Sequence, residues 1–239
     1  MKNYRPLVIF GCVHIGHRNA DLKMAQRYVN FVKETDANAL LLSDNFENVI
    51  PKKGHMMFDQ VLTPQEQLDY GEELFYPIRK KILGLVQGNH SGRTRHEAGI
   101  DMDYELAKHL GLKKLYNPNQ GFVVVKAGKV NYGVAYKHGT GFGSNTFGNS
   151  VTLMRQFPSA DVCACSHTHE LATTNRGFWD INKQGKRVRH DVTLVNTGSL
   201  LNFPSYADEA YYAPQRKGFA ILYLNTREKE VIVDVSGKI

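Results

Sequence analysis

Three cysteines in 239 residues are too few for a disulfide framework, and Cys12, Cys163 and Cys165 are not spaced for one. The chain therefore reads as belonging to a reducing compartment, with the cytoplasm as the expected location. Long apolar runs are missing as well. The first, Leu7-Val8-Ile9-Phe10, is too short for the core of a secretory signal, and none approaches the ~18 apolar residues of a membrane span. Acidic residues are in deficit: 23 Asp and Glu against 30 Lys and Arg leave a formal charge of +7, which favours an anionic partner such as a phosphate ester or nucleic acid. There is no internal repeat, low-complexity segment or evident linker, and no recognisable nucleic-acid-binding module. With 42% hydrophobic residues the chain can bury one sizeable core, so residues 1–239 are expected to form a single domain.

What is present is an alternation of short apolar runs with amphipathic segments, the pattern of a layered α/β domain. Leu7 to Phe10, Ala39 to Leu42 and Ile82 to Val86 read as buried strands. Leu22, Ala25, Val29 and Val32 recur at helical spacing and predict a helix over about 19–34, with Asp21 near its positive end. Thr63-Pro64-Gln65-Glu66 is a capping box with proline at the first helical position; it predicts a helix with Leu68, Leu74, Phe75 and Ile78 inward, ended or kinked at Pro77. Asp101 is placed to cap a short helix carrying Leu106, Ala107 and Leu110. After Asn117-Pro118 the residues predict a hairpin (121–126 with 130–136), a helical segment ending near Phe157, and strands at Val162, 192–195, 219–223 and 231–235. The stretch 87–95 reads as a basic loop, and Lys183, Lys186, Arg187 and Arg189 as an exposed turn.

Five successive strand-like runs each end in a loop holding a potential metal ligand: Cys12 with His14, Asp44, Asn89, His138, and His167 with His169. A His-x-His pair alone arises readily by chance, but in an extended segment its imidazoles share a face. Sites of layered α/β domains gather at the carboxyl ends of strands, and these nitrogen and oxygen donors suit divalent first-row metals. They are more than one ion usually takes, so two ions sharing a bridging carboxylate are expected, as in-line displacement at phosphorus employs ions ~3.5–4 Å apart. Arg93 and Arg95 either grip phosphate oxygens or decorate a solvated loop. Cys163 and Cys165 read as strand packing, His17, His55, His96, His109 and His190 as solvated or structural. Tyr4, Tyr206, Tyr211 and Tyr212 read as core fillers before base-stacking platforms.

Gly11-Cys12-Val13-His14, Ser43-Asp44-Asn45-Phe46-Glu47, Gly88-Asn89-His90, Lys137-His138-Gly139 and Ser166-His167-Thr168-His169 together resemble the calcineurin-like metallophosphoesterases. The blocks of that family run D-x-H, G-D-x-x-D, G-N-H-D/E, a lone histidine and G-H-x-H in this order. The resemblance spans residues 12 to 169. It implies a four-layer αββα sandwich of two mixed β-sheets flanked by helices, and a metal-dependent hydrolase of phosphate esters; the size and basic charge of the chain then favour a phosphodiesterase or nuclease acting on nucleotides or nucleic acid. It also implies two divalent ions, drawn from manganese, zinc, iron or nickel, with a water held between them as nucleophile. His14, Asp44 and His169 match the first metal position; Asp44 bridges to a second made by Asn89, His138 and His167. His90 matches the histidine that contacts the scissile phosphate, and Asn196-Thr197-Gly198-Ser199 matches a late turn that supports the site without ligating; Arg93, just downstream of His90, is a candidate substrate contact by its own chemistry.

The departures from that pattern are specific. Cys12 stands where the family has its first aspartate, Ser43 and Ser166 replace glycines, Glu47 is the second acid of the second block, and Ser91 follows Gly88-Asn89-His90 where an acid is frequent. Cys12 is either a thiolate ligand, which favours zinc or iron, or a small buried residue beside a weakened first position. On the second alternative the chain is a catalytically impaired member acting as a binding scaffold. Specificity is expected to reside in the loops 46–62, 139–150 and 176–190, which carry no readable code.

Overall fold

Strand β1 (Tyr4–Phe10) sets the layering by the parity of its side chains. Val8 and Phe10 point into one apolar cluster and Leu7 and Ile9 into another, because successive residues of a strand face opposite sides. A strand with four successive buried apolar residues, Leu7 to Phe10, must therefore lie between two layers. The same alternation recurs in β2 (Asn38–Leu41), where Ala39 and Leu41 face the first cluster and Leu40 the second. The computed structural model describes residues 3–50, 57–141, 146–202 and 215–239; His55, Tyr206, Tyr211 and Tyr212, and parts of the loops 46–62 and 139–150, lie outside them.

Helices close the first cluster. Helix α1 (Leu22–Glu34) begins where the Asp21 side chain accepts from Met24 N at 2.9 Å, and buries Met24, Ala25, Tyr28, Val29 and Val32. It starts three residues later than its periodicity alone suggests, since the aspartate cap sets the first turn. Helix α2 (Pro64–Phe75) carries the expected capping box between Thr63 and Glu66, then tightens at Pro77 into a 3₁₀ turn (Tyr76–Lys81) that buries Ile78. Two more helices follow strand β3 (Ile82–Val86): α3 (Asn89–Ala98) and α4 (Met102–His109), the latter capped by Asp101.

Strands β1 to β3, with β4 (Tyr116–Asn117), β10 (Ala220–Asn225) and β11 (Val231–Asp234), form a mixed sheet in the order β11-β10-β1-β2-β3-β4. A second mixed sheet runs β5-β6-β7-β9-β8: the hairpin β5 (Gln120–Ala127) and β6 (Val130–Lys137), then β7 (Val162–Cys165), β9 (Arg187–Asn196) and the edge strand β8 (Ala172–Ile181). The two sheets pack through Leu7, Ile9, Leu40, Val134, Tyr136, Val162, Ala164 and Leu222. Helix α5 (Gly148–Gln156) covers the outer face of the second sheet, where Cys163 and Cys165 pack with Leu153. The result is the αββα sandwich that the resemblance implied, and it explains the two cysteines as strand packing. Among the described residues no helix is long and apolar enough to cross a membrane.

Two segments differ from the expectation. Residues 89–98 form α3 where a basic loop was expected: Asn-His-Ser-Gly-Arg-Thr-Arg-His-Glu-Ala has no apolar stripe, and its buried residues are His90, Ser91 and Gly92. Polar contacts hold it, which hydrophobic periodicity does not register. Likewise Arg187 and Arg189 lie within β9, which pairs with β8 over ten residues on each strand, and only Lys183 and Lys186 belong to the turn. The distal half of this hairpin is solvent-exposed on most of its side chains, so no burial pattern marks it as strand.

Candidate metal centre

The site begins as a backbone zipper between the loops after β1 and β2. Cys12 N donates to Ser43 O at 2.8 Å, His14 N to Asp44 O at 3.0 Å and Ile15 N to Asn45 O at 2.7 Å. Holding the two loops this close bends both chains. Among the described residues seven non-glycines have left-handed φ: Cys12, His14, Ser43, Asp44, Asn48, His167 and His169. Each such residue costs about 1–2 kcal/mol, and strain of this kind persists only where surrounding contacts hold it. Here they do. Thr197 Oγ1 donates to Ile9 O at 2.6 Å, and Ser199 Oγ and Leu200 N donate to Cys12 O at 2.9 and 3.1 Å. These bonds give the late Asn196-Thr197-Gly198-Ser199 turn its supporting place. Gly88 admits the third loop: a Cβ there would come within 2.6 Å of Asp44 N and Ser43 Oγ.

Hydrogen bonds around the ring then decide which imidazole nitrogens are free. The Glu47 carboxylate can only accept, so His14 Nδ1–H donates to its Oε2 at 2.9 Å, leaving His14 Nε2 with a lone pair 3.0 Å from His169 Nε2. Likewise His138 Nδ1–H donates to Leu42 O at 2.7 Å, and its Nε2 faces Asn89 Oδ1 at 2.8 Å and Asp44 Oδ2 at 3.0 Å. Asn89 Oδ1 is also 2.9 Å from His167 Nδ1. Ser166, in place of a glycine, uses its hydroxyl on Leu42 O at 2.9 Å and lies as near to His138 Nδ1. Carboxylate or carbonyl partners on the far nitrogen are how metal-ligating histidines are oriented.

Charge follows from burial. Burial pushes His14 down to about 3 and His90 down to about 4, and lowers His169 further with His14 beside it. These imidazoles are neutral at pH 7, the state in which they ligate. Burial opposes the charge on Asp44, but His138 and His90 outweigh it and hold the carboxyl well below the usual range. The reverse balance raises His138, whose burial is outweighed by Asp44. Burial and then Asp44 keep the Cys12 thiol well above its ordinary value.

Among the described residues three sets of donor atoms, each mutually within 4.8 Å, could hold a cation: Cys12, His14 and His169; Cys12, Asp44 and His138; and His14, Glu47 and His90. Asp44 Oδ2 and Asn89 Oδ1 both converge on His138 Nε2, at 3.0 and 2.8 Å, and a divalent cation held among them would satisfy their lone pairs. The donor chemistry thus fits the metal that the sequence implied. All seven sequence-predicted ligand residues meet at this one place. Glu47→Gln is expected to weaken metal binding about tenfold, the lower end of the effect of outer-shell changes, in a chelator competition, with the unfolding temperature little altered.

His90 sits at the rim of this ring on α3. Its N–H donates to Asp44 Oδ1 at 3.0 Å, its Nδ1 donates to Glu47 O at 2.8 Å, and its Nε2 accepts from Arg93 Nη2 at 2.9 Å. Arg93 Nη1 donates to Glu47 O at 2.8 Å, whereas Arg95 turns away to Gln87 Oε1. Asn48 Nδ2 steadies the His90 carbonyl at 2.8 Å. His17, His109 and His190 have ordinary partners: His17 accepts from Asn19 N, and His109 and His190 pair with Glu72 and Ala160 O.

Asp103 is the functional residue that sequence reasoning missed. Fully buried on α4, it accepts from Ser43 Oγ, from Asn45 Nδ2 at 3.3 Å and from Gly88 N at 3.1 Å, tying together the loops that carry Asp44 and Asn89. Burial pushes it up to about 6. An aspartate in the first turn of a helix is ordinary, so nothing singled it out, although Ser43 in a glycine position hints at a buried acceptor.

No family model and no curated protein matches the chain. Among solved structures, vacuolar protein sorting 29 from Cryptosporidium parvum is similar at 16% identity over 97% of this chain and 96% of that one, with a TM-score of 0.49. A conserved uncharacterised protein of Streptococcus pneumoniae, described as a predicted phosphoesterase, is similar at 12% identity over 97% and 98%, TM-score 0.41. Vacuolar protein sorting 29 of Entamoeba histolytica, in complex with zinc, is similar at 13% identity over 96% and 97%, TM-score 0.40. What the chain does is therefore decided on its own side-chain arrangement.

Proposed function

We propose that this chain, with the sandwich and ordered blocks of the calcineurin-like metallophosphoesterases, is a two-metal hydrolase of phosphate esters, acting on phosphodiesters of nucleotides or nucleic acid. The observation that carries the reading is the ring of convergent lone pairs described above. Two divalent ions, manganese, zinc, iron or nickel, would be held by His14, Asp44 and His169 with Cys12, and by Asp44, Asn89, His138 and His167. Bound there, they would neutralise phosphoryl oxygens and activate a water. The formal charge of +7 draws an anionic substrate to the molecule.

The chain's own groups supply the rest. Arg93 presents a planar fork beside His90, and an arriving phosphoryl oxygen can take over its hydrogen bonds bidentately. That frees His90 Nε2. In the ligand-free site His90 is neutral, but a phosphate anion alongside favours the charged imidazole, so substrate binding loads the proton that Nε2 then gives to the leaving oxygen. Glu47 O fixes the ring by accepting from Nδ1. Turnover of aryl phosphomonoesters and phosphodiesters, nucleotides and single- and double-stranded nucleic acid, measured with each of the four metals, tests the reading. His90→Ala is expected to lower kcat by ~10²–10⁴-fold at unchanged metal content. No turnover of any substrate overturns it and favours the second reading, a binding scaffold, for which Cys12 in the aspartate position is the specific observation.

A further inference from the structure

Cys12 belongs to two of the three donor groups among the described residues, one with His14 and His169 and one with Asp44 and His138. Those partners are the ligand sets of the two proposed metal positions. We propose that Cys12 is a thiolate bridge between the two metal ions, lying beside the Asp44 bridge, and that its sulfur selects zinc, iron or nickel over manganese. This rests on the two-metal reading above.

The geometry is built for it. The Cys12 backbone is held left-handed at φ 54, with its N–H on Ser43 O and its carbonyl accepting from Ser199 Oγ and Leu200 N. The sulfur is thereby aimed into the polar ring and is wholly buried. A thiol kept only as a small apolar filler belongs among apolar side chains, as Cys163 and Cys165 do on the opposite side of the second sheet. Cys12 instead faces a carboxylate and three imidazoles, a setting that suits a ligand. A sulfur–zinc bond is ~2.3 Å against ~2.0–2.2 Å for oxygen, which offsets part of the shorter reach of a cysteine side chain. Sulfur also lends the centre a soft donor that manganese does not favour. In binding, the S–H bond breaks, the sulfur lone pairs form the two metal bonds, and the proton leaves to solvent, one per chain.

Cobalt(II) provides a probe that does not depend on turnover. The full chain is stripped of metal and titrated with cobalt, following the near-ultraviolet thiolate-to-cobalt charge-transfer band and the ion count per chain. The expected result is two ions, a band that changes with both the first and the second equivalent, and its loss in Cys12→Ser with at least tenfold weaker binding of both ions. Cys12→Asp, which keeps a ligand, is expected to bind two ions without the band and to shift preference toward manganese in a zinc–manganese competition. Two ions without a charge-transfer band, or a Cys12→Ser change that weakens one ion only, overturns the bridge and leaves the two-metal reading standing. Failure of the unsubstituted chain to take up two ions overturns that reading, and the bridge with it.

Discussion

Asp44→Asn is expected to abolish phosphoesterase turnover and to reduce metal content from two ions per chain to one or none. Asparagine keeps the shape and an oxygen able to accept the His90 N–H, so the chain should fold. It removes the one negative charge that faces His138, His90 and His14 together, and with it the shared ligand of both proposed metal positions. Loss of an outer-shell partner costs 10–100-fold in affinity; loss of a shared ligand is expected to exceed about a hundredfold. Mass measurement of bound metal alongside turnover checks it. A variant that retains two ions and full activity would remove Asp44 from the centre.

The metal-free protein is expected to lose stability steeply on acidification from about pH 6.5 to about pH 4. His14, His90 and His169 are held neutral in the folded chain, down to about 3 for His14 and about 4 for His90, whereas in the unfolded chain they take up protons below about 6.5. Their depressed folded values mean that the unfolded state binds more protons across this window, so stability falls as pH falls, by about 1.4 kcal/mol per pH unit for each group. Asp103, raised to about 6, and Glu47, also raised by burial, act in the opposite sense, being destabilised as pH rises. His138, raised above 6.5, titrates above the window. Together with His17 and His167, which burial also lowers, these histidines outweigh the two carboxyls and leave a net loss of several kcal/mol, on the order of a small domain's whole stability. Urea unfolding at pH 7 and pH 4.5 should show a large fall in midpoint, diminished in His90→Gln. An unchanged midpoint would mean that these imidazoles are not held neutral.

The elements legible in the sequence are those whose signal is local. Parity in β1 and β2, the Thr63–Glu66 capping box, the Asp21 and Asp101 caps and the β5–β6 hairpin are all read within a few residues, because apolar burial and cap chemistry repeat at the period of the element. The ligands were legible for a related reason: each follows an apolar run, and strand ends in layered α/β domains converge. Helix α3 and the distal β8–β9 hairpin were not, since neither buries an apolar stripe.

The sequence by itself determined the layered α/β class, most of the strands and caps, and the identities of Cys12, His14, Asp44, Asn89, His90, His138, His167 and His169 as one group. Only the tertiary structure decided how that group works. Glu47 reaches His14 across 33 positions of chain, His169 meets His14 across 155, and Asp103 ties the second and third loops from α4. The physical reason is that tautomer, charge state and left-handed strain are set by partners brought together in space, and no periodicity along the chain records which partners those will be.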